Sequence, residues 1–275
     1  MASQWQNFLR NLGEWRGSFA SLDGDGAVVE TTPSILSLDA DDEGRLVHFR
    51  LRRYGPDGYG AEPIRDMQED YRSLGRQVVF FANGSFCKGT LQVAPGTVFG
   101  GEFGFVGGDR RHRLVQLHHE DGRFNHLVLI REFRAGSEAL ERPPLEPGQL
   151  IGRWQGQAST ISADWPEPES SDCSLVFSSD GADQLRMHGS LAGEQSGWSG
   201  RQLGRQLQLD VDPALRLQWL PDGGYHLSPL QVSHRSAFAV EAGWLEREDR
   251  LQRLIRRFDA TGAWRSSTLC TLSRC

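Results

Sequence analysis

The chain has no long hydrophobic run. Nothing in it approaches the ~18 apolar residues of a membrane-spanning helix, so no transmembrane segment is expected. Its first residues lack a basic stretch followed by an apolar core, so no secretory signal is expected either. The four cysteines, Cys87, Cys173, Cys270 and Cys275, show no C-x-x-C spacing. Reduced thiols in a cytoplasmic protein are the expectation. A net charge of −6 and arginines interleaved with acids exclude a basic nucleic-acid surface.

Metal and catalytic signatures are also missing. No H-E-x-x-H or H-x-H spacing, G-x-S-x-G, phosphate-binding loop or dinucleotide fingerprint occurs. His118 and His119 are adjacent on a strand-like run, so they point to opposite faces and cannot chelate together. Asp23-Gly24-Asp25-Gly26 starts like a calcium loop, but Ala27 holds the fifth position and no Glu closes it; a hairpin turn is expected. No catalytic and no metal-ligating residue is assigned.

The sequence does contain a repeat of itself. Gly13-Glu14-Trp15-Arg16-Gly17 returns as Gly152-Arg153-Trp154-Gln155-Gly156, 139 residues later. At the same offset Leu91-Gln92-Val93 meets Leu230-Gln231-Val232, and Phe99, Glu102, Gly104 and Phe105 meet Phe238, Glu241, Gly243 and Trp244. One inserted residue near 246–249 then shifts the offset to 140, where Arg113-Leu114-Val115 meets Arg253-Leu254-Ile255 and Phe124 meets Trp264. A sustained offset over both halves marks a duplicated domain. The Pro-rich, aperiodic stretch 135–148 is the expected linker, leaving domains 1–134 and 149–275.

One short helix is expected over 3–12, with Ser3 and Gln6 as a capping box and Trp5, Phe8, Leu9 and Leu12 as its apolar stripe. After it come short strand-like runs, roughly 15–21, 27–38, 45–54, 76–82, 85–93, 97–106, 111–119 and 125–134, separated by turns such as Asn83-Gly84 and Gly107-Gly108. The second half repeats the pattern at roughly 152–161, 172–179, 184–191, 204–211, 215–220, 224–232, 236–245, 250–258 and 264–273. Many short strands with no helices between them predict antiparallel β-barrels.

The helix leading into G-x-W, the meander of strands and an arginine near the last strand resemble the calycin superfamily, which includes the lipocalins. The predicted fold is therefore all-β: two tandem calycin/lipocalin-like antiparallel barrels with a short N-terminal helix. The resemblance implies a tryptophan at each barrel floor with an arginine across it, a cation–π contact. Trp15 with Arg131 or Arg134, and Trp154 with Arg274, are the candidates.

A second pairing is repeated. With Gly107-Gly108 as the turn, Glu102 faces Arg113, and the same count sets Glu241 opposite Arg253. Alternation puts Gly100 and Gly104, or Ala239 and Gly243, on the carboxylate's face. Two readings stay open: a polar anchor in a cavity, or a solvent-facing cross-strand pair. The tryptophans, Trp244 and Trp264 among them, either fill a core or line a pocket for a flat conjugated ligand.

Residues 238–245 (FAVEAGWL), 250–256 (RLQRLIR) and Gly262-Ala263-Trp264 resemble the S-type phycobiliprotein chromophore lyases. Phe80-Phe81-Ala82-Asn83-Gly84-Ser85-Phe86 and Arg113-Leu114-Val115-Gln116-Leu117 resemble a cyanobacterial two-barrel family, mostly without assigned function, whose plant relative is a chloroplast biogenesis factor for ATP synthase. The first resemblance implies Glu241 and Arg253 as holders of an open-chain tetrapyrrole (bilin), with Trp244 beside them. The second implies a non-catalytic assembly factor of the photosynthetic cell. Partners would be ATP synthase F1 subunits or a phycobiliprotein. A bilin chaperone or lyase is the alternative, and a haem or fatty-acid carrier the weaker one.

Overall fold

A computed structural model describes residues 2–165, 167–181, 183–211 and 215–275. Helix α1 (Gln4–Phe8) and a 3-10 turn (Leu9–Asn11) precede nine strands: β1 (Gly13–Leu22), β2 (Val28–Ala40), β3 (Val47–Arg53), β4 (Arg65–Tyr71), β5 (Val78–Phe80), β6 (Phe86–Gly89), β7 (Phe99–Gly107), β8 (Arg110–His118) and β9 (Phe124–Arg134). The second half contributes ten: β10 (Gly152–Ser162), β11 (Glu169–Ser179), β12 (Gln184–Leu191), β13 (Glu194–Leu203), β14 (Gln206–Leu209), β15 (Leu215–Trp219), β16 (Gly224–Pro229), β17 (Phe238–Arg247), β18 (Arg250–Phe258) and β19 (Trp264–Arg274). Two of these, β4 and β13, answer to no strand-like run in the sequence.

Both halves are antiparallel meanders, but they close differently. Strands β10 to β19 form a closed ten-stranded barrel. The first sheet runs β4-β3-β2-β1-β9-β8-β7-β6-β5 and stops, leaving a seam between β4 and β5. The expectation of two closed barrels is corrected there. Helix α1 covers part of the open edge. Gln4 accepts from the Phe80 amide at 2.7 Å and donates to the Phe80 carbonyl at 3.0 Å, so one side-chain amide stands in for a missing strand neighbour. The Ser3–Gln6 capping box forms.

The G-x-W-x-G motif performs the same task twice. Trp15 and Trp154 are fully buried. Each donates its indole N–H to a carbonyl four residues back, Asn11 at 2.9 Å and Leu150 at 2.8 Å. The register sets Arg134 opposite Trp15 and Arg274 opposite Trp154, with guanidinium carbons 4.3 and 4.2 Å from the ring centres. Arg134 thus takes the closing place. Arg131 instead pairs with Glu141 at 3.0 Å. The second glycine of the motif is required by close approach: a Cβ at Gly17 or Gly156 would fall 1.8 or 1.9 Å from a carbonyl of the last strand.

The halves are welded by a core made from both. Phe99, Phe103, Phe105 and Leu114 pack with Val240, Ala242, Trp244 and Leu254. At its rim the contacts are reciprocal. Val93 donates to Gly262 and Val232 to Gly122, at 2.8 and 2.9 Å; Trp264 donates to Leu91 and Phe124 to Leu230, at 2.8 and 3.0 Å. Every partner changes places with its repeat equivalent, the signature of approximate two-fold symmetry. Residues 135–148 are mostly exposed and are tied to the second half, with Leu145 buried in its core and the Arg142 amide donating to Asp222 at 2.9 Å.

Candidate functional site: the cavity of the first sheet

The inner face of the open sheet encloses a cavity of about 450 Å³. That lies within the ~300–1,000 Å³ typical of small-molecule sites. All nine strands reach it, through side chains such as Phe19, Leu36, Phe49, Met67, Val78 and Ile130. Tyr71 and Leu74 from the β4 side and Gln77 from the β5 side put the seam in its wall. Lys88, the one lysine of the chain, lies 4.0 Å from Glu102 with half its side chain exposed.

The wall is largely apolar, but one end carries a chain of charges. Arg113 donates to Glu102 at 2.8 Å and, through Nη1, to Glu132 at 3.2 Å. Arg111 Nε donates to Glu132 at 2.7 Å and Nη1 to Asn11 at 3.4 Å. The Arg111 guanidinium also lies 4.6 Å from the centre of Trp15. Burial pushes the Glu132 carboxyl up, but Arg111 and Arg113 outweigh it and hold it below its ordinary value. Burial lowers Arg113, but Glu102 and Glu132 more than compensate and raise it.

The predicted Glu102–Arg113 pair therefore exists, with a corrected register. The turn residues are Gly108-Asp109, Gly107 faces Arg110, and Glu102 faces Val115. Arg113 reaches Glu102 diagonally, from two residues away on the same face. In β17–β18 Arg253 likewise faces Gly243 rather than Glu241 and holds Glu241 with two hydrogen bonds, 2.8 and 2.7 Å. The room beside each carboxylate is taken by a ring. A Cβ at Gly104 would meet Phe86 at 2.1 Å, and one at Gly243 would meet Tyr225 at 1.9 Å. Tyr225 also donates its hydroxyl to Glu241.

The second barrel is filled. Around Glu241 and Arg253 the free space is about 10 Å³, closed in by Phe177, Met187, Trp198 and Leu217. Trp244 does not join them. Three residues from Glu241, it lies on the other face of the strand, stacked on His112 across the joint with ring centres 5.7 Å apart. Trp264 packs against the same shared core and donates to Ser267 at 3.2 Å. The expectation that both tryptophans line a pocket with Glu241 is corrected by this placement. Glu132 and Arg111 are residues the sequence reading passed over, although Arg111 lies two residues from Arg113 on the same strand face.

Among the described residues no cluster of three or more His, Cys, Asp or Glu is placed to hold a metal ion, and no helix is long and apolar enough to cross a membrane.

Fold and cavity together define a tandem antiparallel β-sheet protein, one sheet open around a cavity and the other closed and filled. A family model described as the N-terminal part of a domain of unknown function, DUF3598, matches residues 1–137. One described as the C-terminal domain of Biogenesis factor required for ATP synthase 1 matches residues 141–275. The crystal structure of a DUF3598-family protein of unknown function from Nostoc punctiforme is 39% identical, covers 100% of both chains and superposes with a TM-score of 0.92. The chain belongs to the DUF3598 family. The S-type phycobiliprotein lyase CPES from Guillardia theta is 18% identical over 47% of this chain and 90% of its own, with a TM-score of 0.35. No curated protein matches the chain.

Proposed function

We propose that the chain is a non-catalytic binding factor whose first barrel holds one small, mostly apolar molecule. The observation that carries this reading is the difference between the two interiors, about 450 Å³ in one and about 10 Å³ in the other. The reading takes the chain as barrels 1–134 and 149–275 joined by 135–148, at work in the cytoplasm of a photosynthetic cell. The second barrel then serves as a rigid support. Titration with Nile red, an uncharged apolar dye, tests it. One saturable site per chain is expected, lost in Val115→Trp, which puts an indole into the cavity. No saturable binding to the unmodified chain would overturn it.

A second reading, an assembly factor that docks on ATP synthase F1 subunits, is favoured by the match of residues 141–275 to the ATP synthase biogenesis factor. The two are compatible. Co-purification of those subunits with the full chain supports it, and exclusive recovery of a phycobiliprotein favours bilin delivery instead. An open-chain tetrapyrrole would have to enter the first barrel, since the Glu241–Arg253 interior leaves no room. Biliverdin, haem and a fatty acid are the probes that separate these ligands.

A further inference from the structure

We propose that the occupant of the first barrel carries an uncharged oxygen acceptor, a ketone or quinone carbonyl, at its buried end. This rests on the reading that the first barrel binds a small molecule. Among the side chains that line the cavity, one buried polar atom lacks a hydrogen-bond partner: Nη2 of Arg111. Arg111 is 3% exposed. Its other nitrogens are engaged by Glu132 and Asn11. A buried donor left unpaired is costly, so the site calls for an acceptor there.

Charge decides which acceptor. Of the buried members of this set of charges, Arg111 and Arg113 are matched by Glu102 and Glu132, two cations and two anions; Lys88, 4.0 Å from Glu102, is half exposed, so its charge is screened by water. A carboxylate brought to Nη2 would leave the set with an uncompensated buried negative charge beside Glu132. An amine brings a donor to a donor. A hydroxyl can also accept from Nη2, but its own proton then needs a second acceptor. A carbonyl oxygen accepts from Nη2 and adds no charge. The second barrel supports the link between donor and cavity. At the equivalent positions it has Leu251 and Leu272, facing each other in register, and the free space beside its Glu241–Arg253 pair is only about 10 Å³.

Displacement of Nile red from the full chain by four probes of one chain length tests the idea: 2-tridecanone, tridecane, tridecanoate and tridecylamine. The ketone is expected to displace the dye at a concentration at least tenfold lower than the other three. Failure of the dye to bind would remove the binding reading itself. Dye binding with tridecanoate equal to or better than the ketone would overturn this inference and leave that reading standing. In the double variant Arg111→Leu/Glu132→Leu, which repeats the leucine pair of the second barrel, the advantage of ketone over alkane should vanish; its persistence would contradict the assignment to Arg111. A readout independent of any variant is the infrared band of the carbonyl-labelled ketone. Bound, it should move to lower frequency than in alkane solvent, and an unshifted band would overturn the proposal.

Discussion

Arg111 and Glu132 face each other in register on β8 and β9 and are joined by a 2.7 Å hydrogen bond. Both side chains are buried; among the described residues Arg111 forms an ion pair with Glu132 alone, whereas Glu132 also holds Arg113. Removing one partner strands the second in a poor solvent, at ~3–5 kcal/mol, while replacing both with apolar groups is often neutral. Glu132→Leu, which strands Arg111, should therefore lower unfolding stability by ~3–5 kcal/mol, and Arg111→Leu/Glu132→Leu by much less. Urea unfolding measures both. A double variant at least as damaged as the single would show that the pair is not an isolated exchange.

The joint between the halves predicts a second effect. His118 and His226 are fully buried there. Burial pushes His118 down to about 4, with Arg216 acting in the same direction, and it pushes His226 well below its ordinary 6.5. Both are neutral in the fold, whereas the unfolded chain binds their protons as the pH drops through 6.5. Stability is thus full above 6.5 and falls toward pH 4, by up to ~1.4 kcal/mol per unit for each group. Glu132 acts lower: its contribution is intact above 4.5 and is lost as the pH falls through its depressed folded value. His118→Phe, which installs the residue found at the equivalent Phe258, should remove about half of the slope between pH 6.5 and 4. An unchanged slope in thermal melts across that range would contradict this.

The connecting stretch is exposed at Leu140, 81% accessible, yet anchored to the second half at Arg142, which donates to Asp222, and at Leu145, which donates to Leu220. Limited proteolysis should nick the chain near 138–140. Because the shared core draws on both halves, the two fragments should co-elute on gel filtration rather than part. Separate folded fragments would show that the joint contributes little.

The repeat was legible because its signals are local. A tryptophan between glycines and a Ser–Gln capping box carry their reasons within a few residues. The seam was not. In β4, Arg65–Tyr71, exposed polar residues occupy both faces, so an edge strand reads as loop. In β8 the strand itself was legible at 111–119, but its inward face was not, for the opposite reason. Arg111 and Arg113 point inward while His112, Leu114 and Gln116 are buried against the other half. A sheet covered on both faces loses the alternation that separates inside from outside. The same effect sent Trp244 to the joint. The diagonal Glu102–Arg113 contact was legible, but its register was not, since Gly107-Gly108 and Gly108-Asp109 are equally good two-residue turns by composition.

Central to this account is that one interior is open and the other filled. Xenon, which enters apolar cavities and is excluded from packed cores, reports on both at once. Crystals of the full chain under xenon pressure should show the gas among Phe19, Leu36 and Ile130 of the first sheet, and none beside Glu241 and Arg253. Xenon in the second barrel, or none in the first, would contradict the account.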